Sequence, residues 1–296
     1  MILMTRGRVA ALAFAAILPA SQAYAHGVAG PRFFPATLTV DDPAVADELS
    51  LPTVSHMDGD TGVSGEYSKR LTSTLGVSLG ESWMRVKAPG SPAASGFGNL
   101  ETSIKWQAVT SASHEAILAF GLTAEWSGTG AAGVGAEAHS IFTPTVFFGK
   151  GAGDLSASMG WARPFALTGQ VGYAIPSRRQ DPGEPGPNPR LLKWGLTLQY
   201  SLPYLQSQVR DFDLPQPLAG MTPLVEASIE TPLTGPERTT TGTINPGVIW
   251  AGRHFQLGLE AMIPLNALSG RHVGAVMQFH MFLDDLFPRS LGKPIW

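Results

Sequence analysis

The chain has 296 residues, with 23 acidic side chains against 20 basic ones, and only 15% of its residues are charged, well under the quarter usual in a soluble domain. It has no basic run or basic helix, which excludes a nucleic-acid partner, because neutralising phosphates takes clustered Lys and Arg. Cysteine is absent, which excludes a disulfide framework, a thiolate metal site and a cysteine nucleophile.

Arg6 and Arg8, the apolar run from Val9 to Leu18 and the small-residue signature Ala23-Tyr24-Ala25 read as a secretory signal peptide, residues 1–25. The run is too short for a retained membrane helix, which needs roughly 20 apolar residues. Cleavage would leave His26 first, with an α-amine and an imidazole on one residue as copper ligands if a second histidine joined them. Residues 26–48 carry Arg32-Phe33-Phe34-Pro35 and Asp41-Asp42-Pro43 and are expected to lie in the periplasm or to plug the domain formed by residues 49–296.

From residue 49 to 296 apolar residues alternate with small or polar ones. Trp194, Leu196, Leu198, Tyr200 and Leu202 alternate with Gly195, Thr197, Gln199 and Ser201; the runs from Phe255 and Val273 repeat the scheme. Gly, Pro, Asn and Asp punctuate candidate strands near 49–57, 61–69, 72–86, 98–109, 114–127, 139–148, 164–176, 191–203, 220–231, 242–251, 254–265 and 271–283. Pro144 and Pro246 weaken two of them, since proline cannot donate to a ladder.

These twelve strands predict one all-β domain, a transmembrane antiparallel barrel. With both ends periplasmic, the turns at Arg70-Leu71, Thr110 to Ser113, Gly149 to Gly153 and Gly252-Arg253 are periplasmic. The Gly/Pro-rich connections 87–97, 128–138, 177–190 and 232–241 then face outside. The long connection 204–219 breaks this rule.

A soluble sandwich would show a lysine-rich outer face; here the polar faces are Gly, Ser, Thr, Gln and isolated Glu, which suits a lumen. Trp83, Trp106, Trp126, Trp161, Trp194 and Trp250 lie near strand ends, as an interfacial girdle requires.

Glu66-Tyr67-Ser68-Lys69-Arg70-Leu71-Thr72 and Gly96-Phe97-Gly98-Asn99-Leu100-Glu101, leading to Lys105, resemble the outer-membrane barrel family named for the meta-cleavage pathway of phenol degradation, over roughly 60–290. The resemblance implies passage of aromatic or other small organic compounds, with no catalytic residues. His272, Gly274, Met277 and Phe279 resemble the terminal signal read by the outer-membrane assembly machinery; Met277 replaces an aromatic, and the chain runs on to Trp296.

Strand parity turns Glu66, Arg70, Glu101, Lys105, Glu125, Glu226, Glu230, Glu260 and His280 inward. Six of these nine are acidic, a pattern of a cation-preferring lumen or of ion pairs that brace the interior. His139 and Ser140 are adjacent on a strand and point to opposite faces, so neither activates the other, and no triad is visible. The expected protein is a non-enzymatic channel in the outer-membrane bilayer, without metal or cofactor. A closed barrel that binds through its outer loops is the alternative, and a barrel-embedded hydrolase ranks third.

Overall fold

The computed structural model describes residues 27–87, 90–183 and 186–296. The predicted signal peptide and His26 lie outside these described residues.

Twelve antiparallel strands close into a barrel: β1 Glu48–Met57, β2 Asp60–Arg70, β3 Leu75–Val86, β4 Leu100–Ser111, β5 Ala116–Trp126, β6 Ile141–Gly151, β7 Phe165–Pro176, β8 Leu191–Tyr200, β9 Met221–Pro232, β10 Thr241–Ala251, β11 Phe255–Pro264 and β12 Gly274–Phe282. Each strand pairs with its sequence neighbours, and β12 pairs with β1 to close the ring. A short strand, Ala94–Phe97, extends β4 along the upper half of β3. The lengths fit a bilayer crossed by tilted strands of about 9–11 residues. Closure leaves no unpaired edge, the condition for strands in hydrocarbon.

The faces are inverted relative to a soluble protein. Glu226, Asn245, Gln256, Glu260 and His280 are at most 1% exposed, while Phe120, Leu122, Val171, Leu198, Leu257 and Met277 are each at least 42% exposed. Burying carboxylates and amides and exposing Leu and Phe is stable only where hydrocarbon surrounds the outer wall. No helix among the described residues is long and apolar enough to cross a membrane.

Pro144 and Pro246 stay within β6 and β10. Each keeps its register with the preceding strand, opposite Leu122 and Val225 respectively. The ladder with the following strand skips Thr143–Pro144 and Asn245–Pro246, the side that lacks the N–H.

Five connections (71–74, 112–115, 152–164, 201–220 and 252–254) share the end where the chain enters and leaves the barrel, here the terminal end. The far end carries 58–59, 87–99, 127–140, 177–190, 233–240 and 265–273. Asp58 and Gly59, at φ 54° and 91°, make the tight turn that matches strand twist. The expected turn Gly149 to Gly153 is corrected: Gly149–Gly151 belong to β6, and 152–164 folds as a longer connection. Residues of both long connections, Pro164 and Tyr204 among them, meet Arg32 and Glu115 at the terminal end.

Candidate functional site

Residues 27–47 form the site's frame. Val28–Ala29 and Arg32–Phe33 make a small antiparallel ribbon at the terminal end. The chain then runs through the lumen and returns to β1. Inward glycines make room for it: a Cβ at Gly149 would lie 3.0 Å from Pro43, at Gly195 2.7 Å from Val40, at Gly76 2.8 Å from Val45 and at Gly258 2.4 Å from Leu38. Gly258→Ala should expel Leu38 at a cost of about 1–3 kcal/mol, which limited proteolysis of 27–47 would register as faster cleavage.

Three polar anchors hold the segment. At the terminal end Arg32, fully buried, donates from Nε to Glu115 at 3.0 Å and from its terminal nitrogens to the carbonyls of Pro164 at 3.0 Å and Arg163 at 2.5 Å. Its guanidinium lies 3.7 Å from the ring centre of Tyr204, whose hydroxyl donates to Glu115 at 2.7 Å; the Gly153 N–H donates to the same carboxylate at 3.0 Å. Burial pulls the Arg32 guanidinium below its usual value, against the opposing charge of Glu115. Burial and the bond to Glu115 push the Tyr204 phenol up. A raised value in the folded state means this contribution is full below the ordinary tyrosine value of about 10 and fades only as pH rises past the raised one.

Midway, Glu226 accepts from the backbone N–H groups of Leu38 at 3.0 Å, Thr39 at 2.8 Å and Val40 at 2.8 Å, and from the Thr39 hydroxyl at 2.5 Å. Glu260 stands beside it. Asn245 donates to the Thr39 hydroxyl at 2.8 Å and Gln256 to the Ala36 carbonyl. Lys105 pairs with Asp41 at 2.8 Å and donates to the Asp42 carbonyl at 2.9 Å. At the exit, fully buried Asp47 binds Lys69 at 2.8 Å and Arg70 Nε at 2.7 Å.

Two spaces of about 260 and 410 Å³ remain in the lumen, and Asp41, Glu48, Glu66 and Glu101 border both. Lys105, Glu125 and Lys193 border the first and His280 the second. Of the residues predicted inward, Glu66, Glu101, Lys105 and Glu125 therefore face open space, while His280 lies buried in the wall of the second cavity. Asn99 donates to Glu125 at 3.1 Å, and His280 bonds Ser50 at 2.8 Å and pairs with Glu48 at 3.2 Å. Glu226 is buried against the inserted segment with Glu260 buried beside it, Arg70 sits at the terminal end with Asp47, and half-exposed Glu230 pairs with Lys193 at 3.1 Å. Sequence reasoning missed Asp41, Glu48 and Lys193 in this set, and Arg32, Glu115 and Tyr204 below it. The readable signal was the glycines at inward positions 76, 149, 195 and 258.

The wall's register breaks between β4 and β5 at Gln107 to Val109 and, against both neighbours of β1, at Leu51-Pro52. At Leu51-Pro52 the register of β1 shifts against both neighbours, passing from Ser50–His280 to Thr53–Gln278 on one side and from Ser50–Glu66 to Thr53–Ser64 on the other. Outside this bulge an apolar groove of about 320 Å³ is lined by Pro52, Trp250, Leu257, Leu259, Met277 and Phe279. Gln278 borders both this groove and the larger interior space.

The outward tryptophans fall at the expected heights. Trp83, Trp126 and Trp194 lie toward the far end, Trp250 and Trp161 at the terminal end, and Trp106 opposite Leu75, the first residue of β3.

No family model and no curated protein matches the sequence. Among solved structures, the NanC porin is similar at a TM-score of 0.52 and 8% identity, covering 79% of this chain and 98% of that one. The KdgM porin (TM-score 0.48, 11% identity, 79% and 98% covered) and LpxR from Salmonella typhimurium (0.46, 12%, 79% and 99%) are also similar. At these identities the likeness is one of fold: a barrel of the outer-membrane kind.

Proposed function

We propose that this chain is an outer-membrane channel for small organic molecules in which residues 27–47 act as a plug. The observation that carries the reading is the path of residues 34–47 through a polar lumen that is otherwise open enough to hold two cavities. Such a channel passes solute when the segment shifts. The signal peptide, the terminal signal around His272 to Phe279 and the outward apolar wall support export to the outer membrane and handling by its assembly machinery.

The acids Asp41, Glu48, Glu66, Glu101 and Glu125 outnumber Lys105 and Lys193 around the open space, which favours cations and hydrogen-bond donors over anions. For the aromatic or hydrophobic compounds implied by the family resemblance, the bulge at Leu51-Pro52 offers the shorter way, between the lumen and the groove on the bilayer side. The test is flux of small organic cations, anions and neutral aromatics into liposomes carrying the protein. Cations and neutral aromatics should enter faster than anions, and Glu66→Gln with Glu101→Gln should lower the cation-to-anion permeability ratio severalfold. Equal rates for all three classes and an unchanged ratio in the double variant would contradict the assignment.

The alternative, a closed barrel serving as a binding scaffold, has one observation in its favour: the segment is fastened at both ends and in the middle. Absence of flux from the wild type and from variants that release the plug, such as Glu226→Ala, would favour it.

A further inference from the structure

The far-end loops hold a cluster that neither the plug nor the lumen uses. His139, at the end of loop 127–140, is 3% exposed, and its Nδ1 lies 2.7 Å from Asp181 Oδ2 and 3.8 Å from Glu137 Oε2. Asp181 belongs to the neighbouring loop 177–190 and is 7% exposed. One donor atom from each of the three residues falls within 4.8 Å of the others.

The hydrogen bonding around this nitrogen does not close. The side-chain amide nitrogen of Asn188 donates to the Arg178 carbonyl at 3.1 Å, which turns its other hydrogen toward His139 Nδ1 at 3.0 Å. That contact asks Nδ1 to accept, whereas Asp181 Oδ2 at 2.7 Å asks it to donate. One ring nitrogen cannot do both. Among the described residues the other oxygen of Asp181, Oδ1, is buried without a hydrogen-bond partner, and Arg178 Nε lies 3.5 Å from it.

We propose that Glu137, His139 and Asp181 bind a divalent transition-metal ion of the zinc type, which staples loop 127–140 to loop 177–190. A metal accepts the Nδ1 lone pair and both carboxylates together, which removes the Nδ1 proton and requires the Asn188 amide to turn away from that nitrogen, and two anionic ligands with a neutral imidazole match its charge. Bond lengths of about 2.0–2.2 Å in a tetrahedral site place the ligand atoms about 3.3–3.6 Å apart, so Nδ1 and Oδ2 part by roughly 0.6–0.9 Å and Glu137, 53% exposed, swings in. The imidazole donor selects zinc over calcium, which takes oxygen ligands. The spacing was not readable in the sequence because Asp181 follows His139 by 42 positions.

The test uses the full mature protein in detergent, without a histidine tag, titrated with zinc against a chromophoric chelator. One zinc per chain is expected, with affinity reduced roughly tenfold or more in His139→Gln and Asp181→Asn. His272→Gln, which alters the exposed far-end pair of His272 with Asp58, should bind as the wild type does. Zinc should also slow tryptic cleavage at Arg178 and Arg179 in the wild type only. The faster gel migration of the unheated barrel checks that each variant is folded; should one fail, the other carries the comparison. The proposal is overturned if the wild type binds no stoichiometric zinc, if calcium binds equally well, or if a folded His139 or Asp181 variant keeps wild-type affinity. Those results would leave a histidine–aspartate hydrogen bond only.

Discussion

Glu226→Ala is expected to release the lumen segment and to raise the barrel's conductance at least severalfold. The carboxylate gathers three consecutive backbone N–H groups and one hydroxyl. Leaving a buried donor without its acceptor costs about 1–3 kcal/mol. Even at the low end, three orphaned N–H groups shift the docked-to-released ratio roughly a hundredfold. Residues 36–42 should then become cleavable by added protease in the folded barrel. Glu226→Gln keeps one acceptor oxygen, so its effect should be smaller. Oxygen Oε2 takes three of the four bonds, and an amide oxygen placed there preserves most of the anchor. Equal protease resistance in wild type and Glu226→Ala would show that Glu226 does not hold the segment.

Glu115→Ala is expected to have the largest effect at the terminal end. It strands the Arg32 guanidinium in a site where both partners are at most 2% exposed. Breaking a buried pair from one side typically costs about 3–5 kcal/mol. The terminal ribbon should detach, with a matching loss in urea stability and faster cleavage near residues 27–35. The double replacement Arg32→Met with Glu115→Met removes both charges and should recover most of that stability. Tyr204→Phe deletes one hydroxyl bond and should cost about 1 kcal/mol. A Glu115→Ala protein as stable as the double variant would rule out a clasp held by charge.

The barrel was legible because a strand half in lipid and half in lumen writes its two environments at period two. All twelve predicted strands appear, with ends displaced by a few residues. The displaced ends have local causes. Leu71 and Thr72 turn back to the Leu75 carbonyl before β3 begins, and Ser201 caps a short helical turn, so β8 stops at Tyr200. Pro144 and Pro246 kept their strands because each loses hydrogen bonds on one side only.

The inward charges were legible as a set, but their division was not. Parity says that Glu226 and Glu66 face inward alike; the route of residues 34–47 decides that Glu226 is an anchor and that Glu66 faces open space. That route depends on contacts far apart in sequence, such as Thr39 with Glu226 and Arg32 with Glu115, and no periodicity encodes them. The same holds for His139 and Asp181, which loop geometry brings together.

The most direct test of the central claim is single-channel conductance in planar bilayers, comparing the mature protein with a chain that begins at residue 48. Heat modifiability on gels first establishes that both are folded. A plugged channel predicts a small or intermittent current from the mature protein and a large, steady, cation-preferring current from the shortened one. Equal conductance in the two would contradict the plug, and no current from either would contradict the channel.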